Sequence, residues 1–518
     1  MAMKNASASG SSKDLYLRSL KGRAEIYGLV GRFDAGMNDL QTASRVTKSA
    51  ATKAEIDLLI ANNLIKGPCA YRRAENIIQK VLRSAAAAGS LKLHSQGLMT
   101  LGEVYLLLGN YQLTQTCVRR ALPVMKKIND WYGYARIYHN LGVAQEKLGA
   151  YDAAMKYLQQ ALTESIRHKL ILYAGYVCNE IGLLCQEESK FDQAAHYYKR
   201  ALANAQKAGD KRLAAAIQGN MGIIYASNND FSKALVYFNH YLAACREMGF
   251  LRGYGSVSGN IGSILLQMGD TRAALRYMNE HLSIATKIGF KNDISLASYN
   301  LGLVYCVRGD WNRARAAHGR SLTVAQSLRD KSSIGFARLG LAQVDIETRR
   351  LQPAEKNLKA ASKCFSAIAD KVRLALIQYH RAQIEMARDR PERALALARR
   401  AQASIAGTVE QDIEINCLRM IGIARLNLAR RNAADHTEDK TGLAEAEEHL
   451  IRSQQNSQKM GLCLEAAKSQ VELYRLYLIQ GRTREARKNL TEARKIFIKA
   501  QARPALAEIR DMSKELKS

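Results

Sequence analysis

The chain has 518 residues, with 77 lysines and arginines against 47 aspartates and glutamates, so its formal net charge is +30. This excess favours acidic partners and speeds their association through long-range attraction, but it indicates no particular fold. No apolar run approaches the roughly eighteen residues of a membrane span, which argues against a transmembrane protein. Five prolines and the lack of strand-like alternation predict an all-α protein.

The N-terminal residues 1–13 are polar, lack the hydrophobic stretch of a secretory signal, and are predicted to be disordered. Their serine and alanine content, with few acidic residues, leaves an organelle-targeting segment as an alternative. Nine cysteines are scattered along the chain without a C-x-x-C pair, as is typical of a reducing compartment. We therefore predict a cytoplasmic protein, with association to the cytoskeleton left open.

Residues 14–90 read as degenerate helix pairs, and a regular repeat follows over 91–330. The mark of this repeat is an apolar residue followed by glycine, recurring every forty residues at Leu101-Gly102, Leu141-Gly142, Ile181-Gly182, Met221-Gly222, Ile261-Gly262 and Leu301-Gly302. A fixed period of this length predicts a solenoid, in which each unit buries its apolar face against its neighbours.

Each forty-residue unit predicts two antiparallel helices. The glycine lets the second helix approach the first, and a turn-forming residue seven positions later ends the first helix. An asparagine or aspartate after the turn is placed to cap the second helix, at Asn110, Asp230, Asp270 and Asp310.

Divergent repeats continue over 331–503, with a polar loop insertion at 431–442, and residues 504–518 form a C-terminal capping helix. We count about eleven helix pairs in all. The predicted fold class is therefore an all-α solenoid.

The repeated pattern N-L-G-x-x-Y-x-x-x-G-D-[YW]-x-x-A…A-L resembles tetratricopeptide repeats, specifically the long forty-residue variety of Pins/LGN and rapsyn. The resemblance covers residues 20 to about 503. It implies a right-handed superhelix whose concave groove binds an extended peptide of a protein partner.

The residue directly before the apolar–glycine pair is the candidate for peptide contact. It is Asn140, Asn220, Asn260 and Asn300 in four of the six units, and Glu180 in a fifth. The resemblance implies that this position lines the groove, and an asparagine amide can both donate to and accept from a peptide backbone. The alternative is that these asparagines only satisfy neighbouring loops or helix ends.

Arg136 lies one turn before Asn140, and Lys147 continues the same stripe. Together they predict a basic patch for an acidic segment or a terminal carboxylate. Solvated charges on a helix face are the alternative.

A second basic region lies near the C-terminus. Its candidate docking residues are Arg484, Arg487, Lys488, Arg494, Lys495 and Lys499. They could contact phosphates, acidic cytoskeletal tails or an anionic membrane surface, or they could form the solvated exterior of an end repeat.

Catalytic and cofactor signals are weak. The run Gly253-Tyr254-Gly255 with Gly259 has the wrong spacing for a dinucleotide loop, and no phosphate loop or metal motif is present in the sequence. We predict no cofactor, no small-molecule substrate and no enzymatic activity. The sequence favours a scaffold or adaptor that binds a protein segment. The alternative is a basic structural protein docked on an acidic cytoskeletal or ribonucleoprotein assembly.

Overall fold

The computed structural model describes residues 10–29, 32–66, 70–407, 411–434 and 439–515. Within these residues the chain forms twenty-five helices and no strand. Most of the segment predicted to be disordered, residues 1–9, lies outside them, and helix α1 already begins at Gly10. The fold is an α-solenoid of consecutive helix pairs, as predicted.

The chain divides into two compact units, residues 1–224 and 225–518. The helices of the first unit, the last of which runs a few residues past the boundary, are α1 (Gly10–Leu29), α2 (Phe33–Val46), α3 (Ala50–Lys66), α4 (Tyr71–Ala87), α5 (Leu91–Leu107), α6 (Tyr111–Lys127), α7 (Trp131–Lys147), α8 (Tyr151–Arg167), α9 (Ile171–Glu187), α10 (Phe191–Ala208) and α11 (Lys211–Ser227).

The helices of the second unit are α12 (Phe231–Glu247), α13 (Leu251–Gln267), α14 (Thr271–Ile288), α15 (Lys291–Arg308), α16 (Trp311–Leu328), α17 (Lys331–Glu347), α18 (Leu351–Ser366), α19 (Lys371–Ala387), α20 (Pro391–Ser404), α21 (Gln411–Ala434), α22 (Lys440–Lys459), α23 (Cys463–Ile479), α24 (Thr483–Lys499) and α25 (Arg503–Glu515). Counting both units, the described residues form twelve pairs followed by α25, against about eleven pairs predicted.

The repeat glycine has the role that the spacing predicts. A Cβ atom on Gly142 would lie 2.7 Å from Cγ of Leu158 on the partner helix α8, which is too close for any side chain. The helices of the pair therefore touch through backbone at this point, and Leu158 is completely buried there.

Three of the four predicted helix caps are present. The side chains of Asn110, Asp230 and Asp270 accept from backbone amides three residues later. Asp310 does not cap α16, because its carboxylate is drawn to two arginines, Arg308 at 3.8 Å and Arg503 at 3.5 Å.

The polar insertion predicted at 431–442 is mostly an extension of helices. Helix α21 continues to Ala434 and α22 begins at Lys440, so only residues 435–438 and Asp439 lie between them, and 435–438 are outside the described residues. The sequence suggested a loop because the polar residues of a surface helix have no apolar periodicity.

Within the second unit, segments that are far apart in the chain are in contact. The turns before α12, α14 and α16 contact the C-terminal connections: Phe231 packs with Met460 and Leu462, and Gly309 lies against the ring of Pro504. Helix α25 buries Ile509 and Met512 in the core formed by α22–α24.

Candidate functional site

The first helices of successive pairs contact one another as well as their own partners, so they form a common surface. In the first unit this surface is made by α5, α7, α9 and α11, and we call it the first-helix face of unit 1. It carries three of the predicted groove residues: Asn140, Glu180 and Asn220.

The three residues have different surroundings. Asn140 is only 5% exposed, and its Nδ2 atom is buried without a hydrogen-bond partner in the described chain. Asn220 is half-buried and donates through Nδ2 to Oδ1 of Asn179 over 3.0 Å. The repeated asparagine position therefore differs between repeats. The Asn140 amide is left without a partner, and the Asn220 amide is satisfied within the protein.

Glu180 is half-buried and occupies the same repeat position on α9, between Asn140 on α7 and Asn220 on α11. Its one hydrogen bond is a long contact of 3.5 Å from the Asn179 amide. Burial, and then the nearby Glu146 carboxylate, raise the pKa of Glu180 to about 7. The surrounding residues therefore stabilise the negative charge of this carboxyl group poorly.

The patch predicted to be basic is not basic in the structure. The Arg136 guanidinium binds the carboxylate of Glu103. Lys147 binds Glu146, and its Nζ atom lies 3.7 Å from a carboxylate oxygen of Glu187. Each predicted cation is thus already paired with carboxylates of the same face. The charge balance of the face could not be predicted from the sequence of a single helix.

Aromatic side chains adjoin this network. The Tyr173 hydroxyl lies 3.0 Å from Nδ1 of His139, and the Tyr132 ring packs edge-on to Tyr173 with centroids 5.0 Å apart. Tyr132 and Tyr176 are exposed. Burial lowers the pKa of His139 to about 4, so the imidazole is neutral at physiological pH.

The sequence analysis missed the carboxylates and tyrosines that complete this face: Glu103, Glu146, Glu187, Tyr132, Tyr173 and Tyr176. The sequence spacing between these residues and the predicted cations could have indicated some of them. Glu103 precedes Arg136 by 33 residues, which is one repeat minus two helical turns. Side chains related in this way lie on neighbouring first helices.

The other two predicted groove residues, Asn260 and Asn300, lie in the second unit and are half-buried. There the first helices α15, α17, α19, α21 and α23 together line a single cavity of about 190 Å³. Tyr299, the neighbour of Asn300, is part of its wall. Asn300 and Asn260 are not among the residues that line this cavity.

Charged and polar side chains at this cavity pair with one another. Arg419 and Lys468 bind the Glu465 carboxylate at 2.6 and 2.8 Å. These two cations hold the pKa of Glu465 at about 2 although burial opposes them. His380 Nδ1 lies 2.7 Å from the Gln383 amide oxygen.

The six basic docking candidates all lie on α24. Arg484, Arg487, Lys488, Arg494, Lys495 and Lys499 are exposed, and none makes an ion pair with a described residue. The same helix buries Ala486, Leu490, Ala493 and Phe497 on its other side. The basic side chains thus form one solvent-facing surface, which we call the α24 basic face.

Two further properties concern the described chain as a whole. None of its helices combines the length and apolar character needed to cross a membrane. Nor do its histidine, cysteine, aspartate and glutamate side chains come together in groups of three or more suited to hold a metal ion.

The regular pairs match a known family. The tetratricopeptide repeat family model matches residues 94–163 and 175–247, which hold helices α5 to α8 and α9 to α12. These two segments are tetratricopeptide repeats. The further likeness to Pins/LGN and rapsyn stays a prediction.

The chain is similar to solved structures as well, and one of them reaches a TM-score of 0.50. The apo form of the quorum sensor NprR from B. thuringiensis has a TM-score of 0.50 and 14% identity, covering 68% of this chain and 97% of that one. A Rap protein complexed with Competence and Sporulation Factor has a TM-score of 0.47 and 15% identity, covering 71% and 99%. At these identities the similarity concerns the fold alone. Comparison with curated proteins finds no match.

Proposed function

We propose that this protein is a non-catalytic scaffold that binds an extended segment of a protein partner on the first-helix face of unit 1. The observation that carries the proposal is the unused hydrogen-bonding capacity of that face. Asn140 keeps an unpartnered amide, and Glu180 has one long hydrogen bond. Buried polar groups without partners are costly, and a bound backbone would supply the missing bonds at about 1 kcal/mol each.

The second unit supports this role less well. Among the described residues, neither Asn260 nor Asn300 has a buried amide left without a hydrogen-bond partner. We therefore assign segment binding to the first unit. An acidic segment, expected from Arg136 and Lys147, is also less favoured because both cations are already paired.

The test is affinity capture from native lysate with three variants. The Asn140→Ala/Asn220→Ala variant changes the first unit and Asn260→Ala/Asn300→Ala the second. Asn239→Ala/Asn279→Ala, at exposed positions on second helices, is the matched control. We expect the first variant to lose a partner that the other two retain, with unchanged helix content by circular dichroism. Equal capture by all three variants would contradict the groove assignment.

A second candidate function is docking by charge through the α24 basic face, on an acidic cytoskeletal or ribonucleoprotein assembly. It is favoured by the six exposed, unpaired cations of that helix. Reversing Arg487, Lys488, Arg494 and Lys495 to glutamate should then abolish capture, and salt or nuclease should release the partner, because exposed charges are screened beyond about 10 Å at 0.1 M salt. A partner that resists both treatments and the reversal would exclude this function. Cytoplasmic location is part of both proposals.

A further inference from the structure

The charged network around Glu180 on the first-helix face of unit 1 contains more carboxylates than cations. It contains four carboxylates, Glu103, Glu146, Glu180 and Glu187, against two cations, Arg136 and Lys147. The chain as a whole carries a formal charge of +30. This local excess of carboxylates favours a positively charged group at the network.

Within the network only Glu180 lacks a close cation. The Glu103 carboxylate holds Arg136, and Lys147 is bound to Glu146 and lies 3.7 Å from Glu187. Lys147 also attracts Glu180, but less strongly than the neighbouring Glu146 repels it. A half-buried carboxylate in this position is costly unless a positive group is brought to it.

The surroundings of Glu180 include the groups that recognise a basic side chain. Tyr176, one helical turn before Glu180 on the same helix, is exposed and offers a ring face to a cation. Asn140 occupies the equivalent position one repeat earlier, is 5% exposed, and has an unpartnered amide. This amide is a second, independent sign that the face is incomplete without a ligand.

We propose that Glu180 binds the guanidinium or ammonium group of an arginine or lysine in the extended segment of a partner, while the neighbouring asparagine positions bind its backbone. This inference rests on the proposed function, since it names the chemistry of the same segment. It reverses the sign of the ligand charge that Arg136 and Lys147 predict from sequence.

The groups facing Glu180 determine its pH dependence. They are Glu146 and Lys147 from α7, Asn179 and Tyr173 from its own helix α9, and Tyr198 from α10. Because the pKa of Glu180 in the free protein is about 7, the carboxyl group is partly protonated at neutral pH. Affinity for a basic segment should therefore rise between pH 6 and pH 8, as the carboxylate becomes fully ionised.

The experiment uses the full chain and a positional-scanning library of nine-residue peptides with blocked termini, at 0.3 M salt. We expect one position at which lysine and arginine are selected over aspartate and glutamate. Glu180→Gln should weaken the selected peptide about tenfold, as expected for a lost charge-assisted hydrogen bond, and should remove the pH dependence. The control is Glu188→Gln, which removes a carboxylate at the end of the same helix that already binds Lys190 at 2.9 Å.

The variant is expected to fold, because replacing a poorly compensated carboxylate by an amide should raise thermal stability. A rise in stability with a loss of affinity is a combination that a purely structural residue would not give. Selection of neutral or acidic residues, or equal affinity of Glu180→Gln and wild type, would overturn the inference. If binding then still requires Asn140 and Asn220, the proposed function survives. If no peptide is selected at all, both fail.

Discussion

The Thr271 hydroxyl donates a hydrogen bond to the backbone carbonyl of Ala500, 2.7 Å away and 229 residues later in the chain. The bond is buried at the place where the turn before α14 meets the connection between α24 and α25. It ties the first turn of α14 to the C-terminal part of the second unit.

Thr271→Val keeps the shape of the side chain and removes this bond. We expect it to lower the free energy of unfolding of the second unit by about 1–2 kcal/mol, because the Ala500 carbonyl is left unpaired. Trp311 lies in this unit, so its fluorescence in a Trp131→Phe background reports urea unfolding. Thr323→Val, which removes only an exposed bond back to Gly319, is the control and should have little effect.

The repeat glycines should be intolerant of alanine where the partner helix cannot move. A Cβ on Gly302 or on Gly340 would lie 2.4 Å from the His318 ring, which is fully buried between them. We expect Gly302→Ala to destabilise the second unit by about 1–3 kcal/mol. Gly319→Ala is the matched control, because its Cβ would meet nothing within 4 Å. It should stabilise α16 by about 0.5–1 kcal/mol. The same urea titration measures both, and equal effects would contradict the close approach.

Acidification should destabilise the protein through its buried imidazoles. Burial lowers the pKa of His139, His318 and His380 to about 4, against about 6.5 in an unfolded chain. Between these values the unfolded state binds more protons, so stability is lost as pH falls below 6.5, by at most about 1.4 kcal/mol per pH unit for each residue. Burial also raises the pKa of Glu180, Glu347 and Asp57, which therefore have the opposite slope, for Glu180 between about 4.5 and 7.

The measurement is the urea midpoint at pH 7.5, 6.5 and 5.5. The variant His318→Leu should have a smaller loss of stability over this interval than wild type. Met278→Leu changes a similarly buried side chain without a titrating group and should keep the wild-type slope. A slope that is the same in all three proteins would rule out a contribution from His318.

The ion pair between Arg419 and Glu465 should be costly to break. The two side chains are 6% and 23% exposed, and their closest atoms are 2.6 Å apart. Glu465→Gln should cost about 3 kcal/mol, because the Arg419 guanidinium stays buried without its counter-charge, and Arg419→Met should cost less, because Lys468 still binds Glu465 at 2.8 Å. The double variant should cost less than the sum of the two. Arg452→Met, in an exposed pair with Glu448 at 3.6 Å, should change stability by less than about 1 kcal/mol.

The sequence by itself determined the repeat architecture. The forty-residue step of the glycines sets where each helix pair packs, and residues such as Gly142 act through contacts within one pair, so their effect is local and periodic. The caps at Asn110, Asp230 and Asp270 were readable for the same reason, since a cap bonds to its own helix. The equivalent positions of Asn140 and Glu180 in their repeats could likewise be predicted from the forty-residue period.

The tertiary structure alone decided the electrostatics of the candidate site and the long-range contacts within the second unit. Arg136 is positive in sequence, but its partner Glu103 comes from the preceding first helix, 33 residues away. Likewise, Asp310 faces Arg503 from 193 residues later instead of capping its own helix. Charge compensation and long-range packing depend on which repeats meet in space, and a periodic sequence fixes each unit without specifying those distant neighbours.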